Sequence, residues 1–240
     1  MRFLTRPRRV GRLLGVPVLV SPLVVALLAV ILVQVAHRAG LAALGEVTGW
    51  LALALASLLA HEFAHAWAAR RLGVRVFDVR IGPLGGMARM EGVSTRPEIE
   101  LRVAAAGPAV NLLLAGLFLL VPGHIGTGGT LINLVFGLGN LIPAFPLDGG
   151  RVLRAWLAMR APLLAATRAA IRVSHLVLVI LLGVAGWYGE FPIALLLVGF
   201  LYLAGREELV QVLLHSGTDS TLDTGEVVRR AFRRQDHTEC

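Results

Sequence analysis

The chain has 240 residues, 56% hydrophobic and 16% charged, with a formal net charge of +8. At a mean hydropathy of +0.75, a water-soluble domain of this size has no core large enough to hide its apolar surface, so a polytopic membrane protein is expected. All 23 basic residues are arginine and lie beside apolar spans, which reads as an orientation signal at a membrane rather than a nucleic-acid surface.

Residues 1–12 carry five arginines ahead of an apolar run at 16–36. That run is long enough to span a bilayer and no small-x-small cleavage site follows it, so it is expected to be a retained first transmembrane helix. A second helix is expected at 41–72. Residues 74–81, from Val74 through Phe77 and Asp78 to Ile81, are rich in β-branched side chains and partly alternating, the pattern of a strand. Gly82-Pro83-Leu84-Gly85-Gly86 breaks it, and Met87-Ala88-Arg89-Met90 returns as a second strand. The glycine cluster lacks the Gly-Lys-Ser/Thr ending of a phosphate-binding loop. Composition alone leaves two equal readings: a plain cytosolic turn, or a hairpin whose free edge pairs with an extended peptide.

A third helix is expected at 101–121. A fourth begins near Leu131 and is interrupted by Asn140, Pro143 and Pro146. A fifth covers 173–188, with room to extend back to Leu163, and a shorter sixth covers 191–204. The expected fold is thus an all-α polytopic membrane protein of about six transmembrane helices with a small re-entrant β-hairpin between helices two and three. The core would occupy 1–205 and a short cytosolic tail 206–240. With the N-terminus inside, 22 of the 23 arginines fall on the inner side and only Arg38 outside, so both termini are expected in the cytosol. The lone cysteine, Cys240, allows no internal disulfide.

The second helix contains His61-Glu62-Phe63-Ala64-His65, an H-E-x-x-H stretch inside an apolar run. Residues four apart on a helix share a face, so His61 and His65 can bind one zinc ion, and Glu62 reaches the edge of the same pocket. A carboxylate there can take a proton from water. Two histidines and a glutamate cost several kcal/mol in a lipid-facing helix, so they must face protein, partner or ion. At 1.5 Å per residue, His65 and His61 would lie roughly 7 and 14 Å below the interface marked by Arg70 and Arg71.

Catalytic zinc usually takes three protein ligands plus water. Asp148, in Asn140-Leu141-Ile142-Pro143-Ala144-Phe145-Pro146-Leu147-Asp148-Gly149-Gly150, lies on the same side of the membrane. Taken alone it is equally a third ligand or a cap for the following helix.

H-E-x-x-H in one transmembrane helix, followed by N-x-x-P-x-x-P-L-D-G-G after a later one, resembles the site-2 protease family of intramembrane zinc metalloproteases. Residues 85–90 resemble that family's re-entrant hairpin, and Ala106-Gly107-Pro108-Ala109-Val110-Asn111 its third-helix G-P-x-x-N. The resemblance implies one zinc held by His61, His65 and Asp148, with Glu62 as catalytic base. It implies that Asn140, Pro143 and the hairpin glycines Gly85 and Gly86 help hold an unwound substrate strand. Asn111 carries over as a substrate contact or, equally, as an interhelical hydrogen bond. The partner implied is a membrane-embedded protein substrate in the bilayer of a bacterial plasma membrane; a homo-oligomer is left open. No segment between helices has the length of a PDZ domain, nor 205–240 that of paired cystathionine-β-synthase domains, so the resemblance is to a compact branch similar to the sporulation-type enzymes. Two other classes fit intramembrane His, Glu and Asp: a metal or proton transporter, against which stands the lack of an inverted repeat, and a catalytically dead helix-binding scaffold.

Overall fold

A computed structural model of the chain describes residues 7–82, 85–189 and 191–218. Strands β1 (Arg8–Leu13) and β2 (Val16–Val20) open the chain and lead through Ser21 into a long helical stretch. Ser21 caps it by accepting a hydrogen bond from the Leu23 amide, and Pro22 takes the first helical position, where a missing N–H costs nothing. Gly40, at φ 79°, divides the stretch into α1 (Pro22–Leu41) and α2 (Ala43–Arg71). Strands β3 (Val76–Gly82) and β4 (Gly85–Met90) follow, then α3 (Pro97–Phe118), α4 (Gly123–Asn140), α5 (Asp148–Ala158), α6 (Leu163–Trp187) and α7 (Phe191–Thr218).

The strands form one sheet in the order β1-β2-β3-β4, antiparallel except between β2 and β3, which run parallel with Val18 opposite Val79. This corrects two expectations. Residues 16–20 are a strand rather than the start of the first membrane helix, and the hairpin is half of a four-stranded sheet, so the fold is not all-α. The cause is a pairing that local pattern does not reveal: parallel strands need a long crossover, and here it consists of α1 and α2. Pro17 also suits a strand end better than a helix interior.

Among the described residues, four helices are long and apolar enough to cross a membrane: α1, α2, α3 and α6. The chain is a multi-pass membrane protein, mostly helical, with a small sheet. The fourth helix begins at Gly123, earlier than its apolar residues suggest, because its glycine-rich first half packs closely on Phe118 and Trp50. It has 18 residues, about 27 Å of helix at 1.5 Å each. Helix α7 runs through the expected boundary at residue 205 and ends at Thr218; the remainder of the expected tail, 219–240, lies outside the described residues.

Two apolar clusters pack on the end of α2, and a third holds the loop that leads to α5. Val16, Phe63, Ala66, Val79 and Ile81 bury the sheet against it. Ala68, Ala69, Val74 and Val103 join α2 to α3. Ala144, Leu178 and Leu201 hold the 141–147 loop against α6 and α7, and within that loop the Phe145 amide donates to Ser174 Oγ at 3.1 Å. The H-E-x-x-H turn is therefore enclosed by sheet, helix and loop.

Candidate metal centre

His61 and His65 lie one turn apart on the buried face of α2, 3% and 6% exposed, and Glu62 beside them is 5% exposed. Asp148 reaches them from the first turn of α5. His61 Nε2 stands 2.9 Å from Asp148 Oδ2, His65 Nε2 3.2 Å from the same oxygen, and the two Nε2 atoms are 3.1 Å apart. Two ligands bound to tetrahedral zinc at their usual bond lengths are separated by about 3.3 Å. The triangle matches that spacing to within a few tenths of an ångström.

The opposite ring nitrogens decide what occupies its centre. His65 Nδ1–H donates to the Val103 carbonyl at 2.7 Å, and His61 Nδ1–H to Asn111 Oδ1 at 2.6 Å. A neutral imidazole that donates at Nδ1 presents a lone pair at Nε2. Two nitrogen lone pairs and a carboxylate oxygen thus converge on one point, an arrangement that repels itself unless a cation lies between them. Two imidazoles and one carboxylate form a donor set that fits zinc.

The surrounding backbone is fitted to these side chains. A Cβ on Gly107 would overlap the Nε2 atoms of both histidines, so α3 passes directly across the imidazole pair, and any larger residue would fill the place of the ion. A Cβ on Gly86 would overlap the Glu62 carboxylate, which puts the start of β4 against that side chain.

Of the other residues singled out from the sequence, Gly85 and Gly86 begin β4, an edge strand whose described partner is β3 alone. Pro143 lies half-buried in the 141–147 loop. Asn140 ends α4, its Nδ2 donating to the Phe136 carbonyl at 2.9 Å. Asn111 is fully buried behind His61, bonded to it and to Asn133 on α4. Of its two expected roles, the interhelical hydrogen bond is formed here, from α3 to Asn133 on α4.

Two further groups are assembled only by the fold. One is Asn133. The other is an ionic cluster on α3, α5 and α7: Arg154, 2% exposed, pairs with Glu100 and, at 3.0 Å, with Glu208, while Arg151 reaches Glu208 at 3.0 Å. Arg154 also stacks over the Phe145 ring, 5.2 Å from its centroid. Nothing in one chain's sequence shows which charges meet.

The model of peptidase family M50 matches residues 49–127 and 124–184, which includes the H-E-x-x-H helix and Asp148. The chain belongs to peptidase family M50. Among relatives in this family it is 37% identical over 212 residues to Rip3 of Mycobacterium tuberculosis, covering 79% of this chain and 52% of Rip3. It is 30% identical to the zinc metalloprotease MJ0392 of Methanocaldococcus jannaschii, over 83% of this chain and 60% of that protein. Stage IV sporulation protein FB of Bacillus subtilis is 33% identical over 144 residues, 56% of this chain and 50% of that one. The chain thus spans about half the length of the curated relatives it matches. The fold resembles the solved site-2 protease from Methanocaldococcus jannaschii with a TM-score of 0.63 at 28% identity, covering 85% of this chain and 95% of that structure.

Proposed function

We propose that the chain is an intramembrane zinc peptidase that hydrolyses a peptide bond in or near a transmembrane segment of a membrane-tethered protein. The observation that carries this is the convergence of three lone-pair donors from His61, His65 and Asp148 beside the Glu62 carboxylate. Membership of a peptidase family, with relatives named as zinc metalloproteases, supports the reading.

His61 and His65 would hold the ion from one side and Asp148 from the other. Bound zinc supplies Lewis-acid chemistry, lowering the pKa of water toward about 7 and polarising a carbonyl. Glu62 is the base: its carboxylate takes the water proton and later delivers it to the leaving amine nitrogen. The enclosure of α2 by sheet and α3 keeps lipid and bulk solvent from the reacting atoms. A helical substrate hides its carbonyls in its own hydrogen bonds and must first unwind. The edge strand β4, with Gly86 against Glu62, is suited to pair with the extended segment, and Asn140 and Pro143 border the loop that leads to Asp148. Six spans, cytosolic termini and a bacterial plasma membrane complete the proposal, supported by the arginine distribution.

The test is cleavage of a panel of transmembrane-peptide reporters by the purified chain in lipid nanodiscs. Wild type should cut at least one reporter, lose activity to a zinc chelator and regain it with added zinc. Glu62→Gln should retain zinc without cutting. Cleavage that survives both the substitution and the chelator would refute the mechanism.

A further inference from the structure

Asn133 lies on α4 and is wholly buried, and its hydrogen bonds go to Asn111 and Gly129 rather than to the three metal-binding side chains. Its Nδ2 donates to the Gly129 carbonyl at 2.9 Å, and its Oδ1 accepts from Asn111 Nδ2 at 2.8 Å. Asn111 Oδ1 in turn accepts from His61 Nδ1 at 2.6 Å. The chain of bonds thus runs from a backbone carbonyl through two amides to an imidazole.

Its direction is set at the far end. A side-chain amide has a donor end and an acceptor end, and either can face a neighbour. The Gly129 carbonyl can only accept. It therefore fixes the NH2 of Asn133 toward itself and the oxygen toward Asn111. Asn111 must answer with its own NH2, which leaves its oxygen for His61. His61 must then carry its proton on Nδ1 and keep the Nε2 lone pair for the metal. With the direction reversed, an NH2 group would face Nδ1 and the proton would sit on Nε2, between His65 and Asp148. The Ser57 carbonyl accepts from Asn111 Nδ2 at 3.4 Å, a longer bond that favours the same direction without enforcing it. Short side chains suffice for this relay because α4 lies close to α3, with Gly129 against Phe118 and Gly137 against Leu112.

We infer that Asn133 is a positioning residue for the metal centre: anchored on the Gly129 carbonyl, it orients the Asn111 amide and thereby holds His61 in the tautomer that binds the ion through Nε2. The inference rests on the zinc-site reading above. Outer partners of metal-bound histidines fix ring orientation and tautomer, and their loss typically costs 10–100-fold in metal affinity.

The experiment measures zinc affinity of the full chain by chelator competition, with thermal unfolding as a check on folding. Asn133→Leu should weaken zinc binding by about tenfold. Asn111→Asp offers an oxygen to His61 whichever way it turns, so in that background Asn133→Leu should cost nothing more. If Asn133 served packing alone, the loss would be equal in both backgrounds, and that result overturns the inference, as does no loss in the wild-type background. Should Asn111→Asp fail to fold, Asn133→Asp replaces it. Keeping an oxygen toward Asn111, it should hold zinc within about threefold of wild type while Asn133→Leu does not; equal affinity of the two variants overturns the inference. Wild type that binds no zinc would instead defeat the underlying reading, a separate outcome.

Discussion

Two clusters of polar side chains are buried around α5, and they are built on opposite plans. In one, His61, His65 and Asp148 turn three lone pairs toward one point, with no cationic side chain bonded among them. In the other, Arg151 and Arg154 face Glu100 and Glu208, two cations against two anions. The second cluster is balanced by the chain itself and ties α3, α5 and α7 together. The first is balanced only by something added. Burial of charge alone does not mark a functional site, since a structural cluster is buried equally well; what distinguishes the metal centre is that its donors are incomplete without a cation.

The contrast can be broken from either side. The largest effect belongs to the centre: His61→Ala or Asp148→Ala should abolish stoichiometric zinc, measured by elemental analysis, and all peptide cleavage with it. Glu62→Gln should lower the cleavage rate by about 10²–10⁴-fold in reporter kinetics while zinc stays bound, because it removes proton transfer and not a ligand. In the ionic cluster, Arg154→Met should instead cost about 3–5 kcal/mol of stability by leaving the buried Glu100 unpaired and Glu208 with Arg151 alone, and the protein that stays folded should bind zinc normally. Equal loss of zinc affinity in that variant would erase the distinction. The smallest effect is expected at the sheet, where Arg89 hydrogen bonds, opposed by burial and aided by Arg80, hold the Asp78 carboxyl below its ordinary range. A lowered carboxylate contributes stability above its unfolded pKa and loses it only as pH falls through the folded value. Thermal stability from this pair should therefore be flat between pH 8 and 5, and Asp78→Asn should cost less than about 1 kcal/mol because Arg80 and Arg89 are partly exposed.

The parts of this design that are local were legible in the sequence. H-E-x-x-H shows itself because four residues make one helical turn, and the helix breaks at Pro143 and Pro146 show themselves because proline lacks a donor. Asp148 was half legible: 83 residues separate it from His65, so taken alone it reads equally as a third ligand or a helix cap, and the family resemblance is what favours the ligand. The sheet was half legible: β3 and β4 are adjacent in the chain, whereas β2 meets β3 across two helices. Asn133 and the pairing of Arg154 with Glu100 and Glu208 were not legible at all, because each depends on which faces of separate helices meet. The rule that a buried polar group needs a partner announced that partners existed without naming them.

X-ray absorption at the zinc edge of the purified chain tests the metal centre most directly. One zinc per chain, with nitrogen and oxygen neighbours at about 2.0–2.1 Å and the outer scattering of two imidazole rings, is the expected result. A well-folded chain that holds no zinc, or holds it without imidazole scattering, would contradict the assignment of His61, His65 and Asp148 as its ligands.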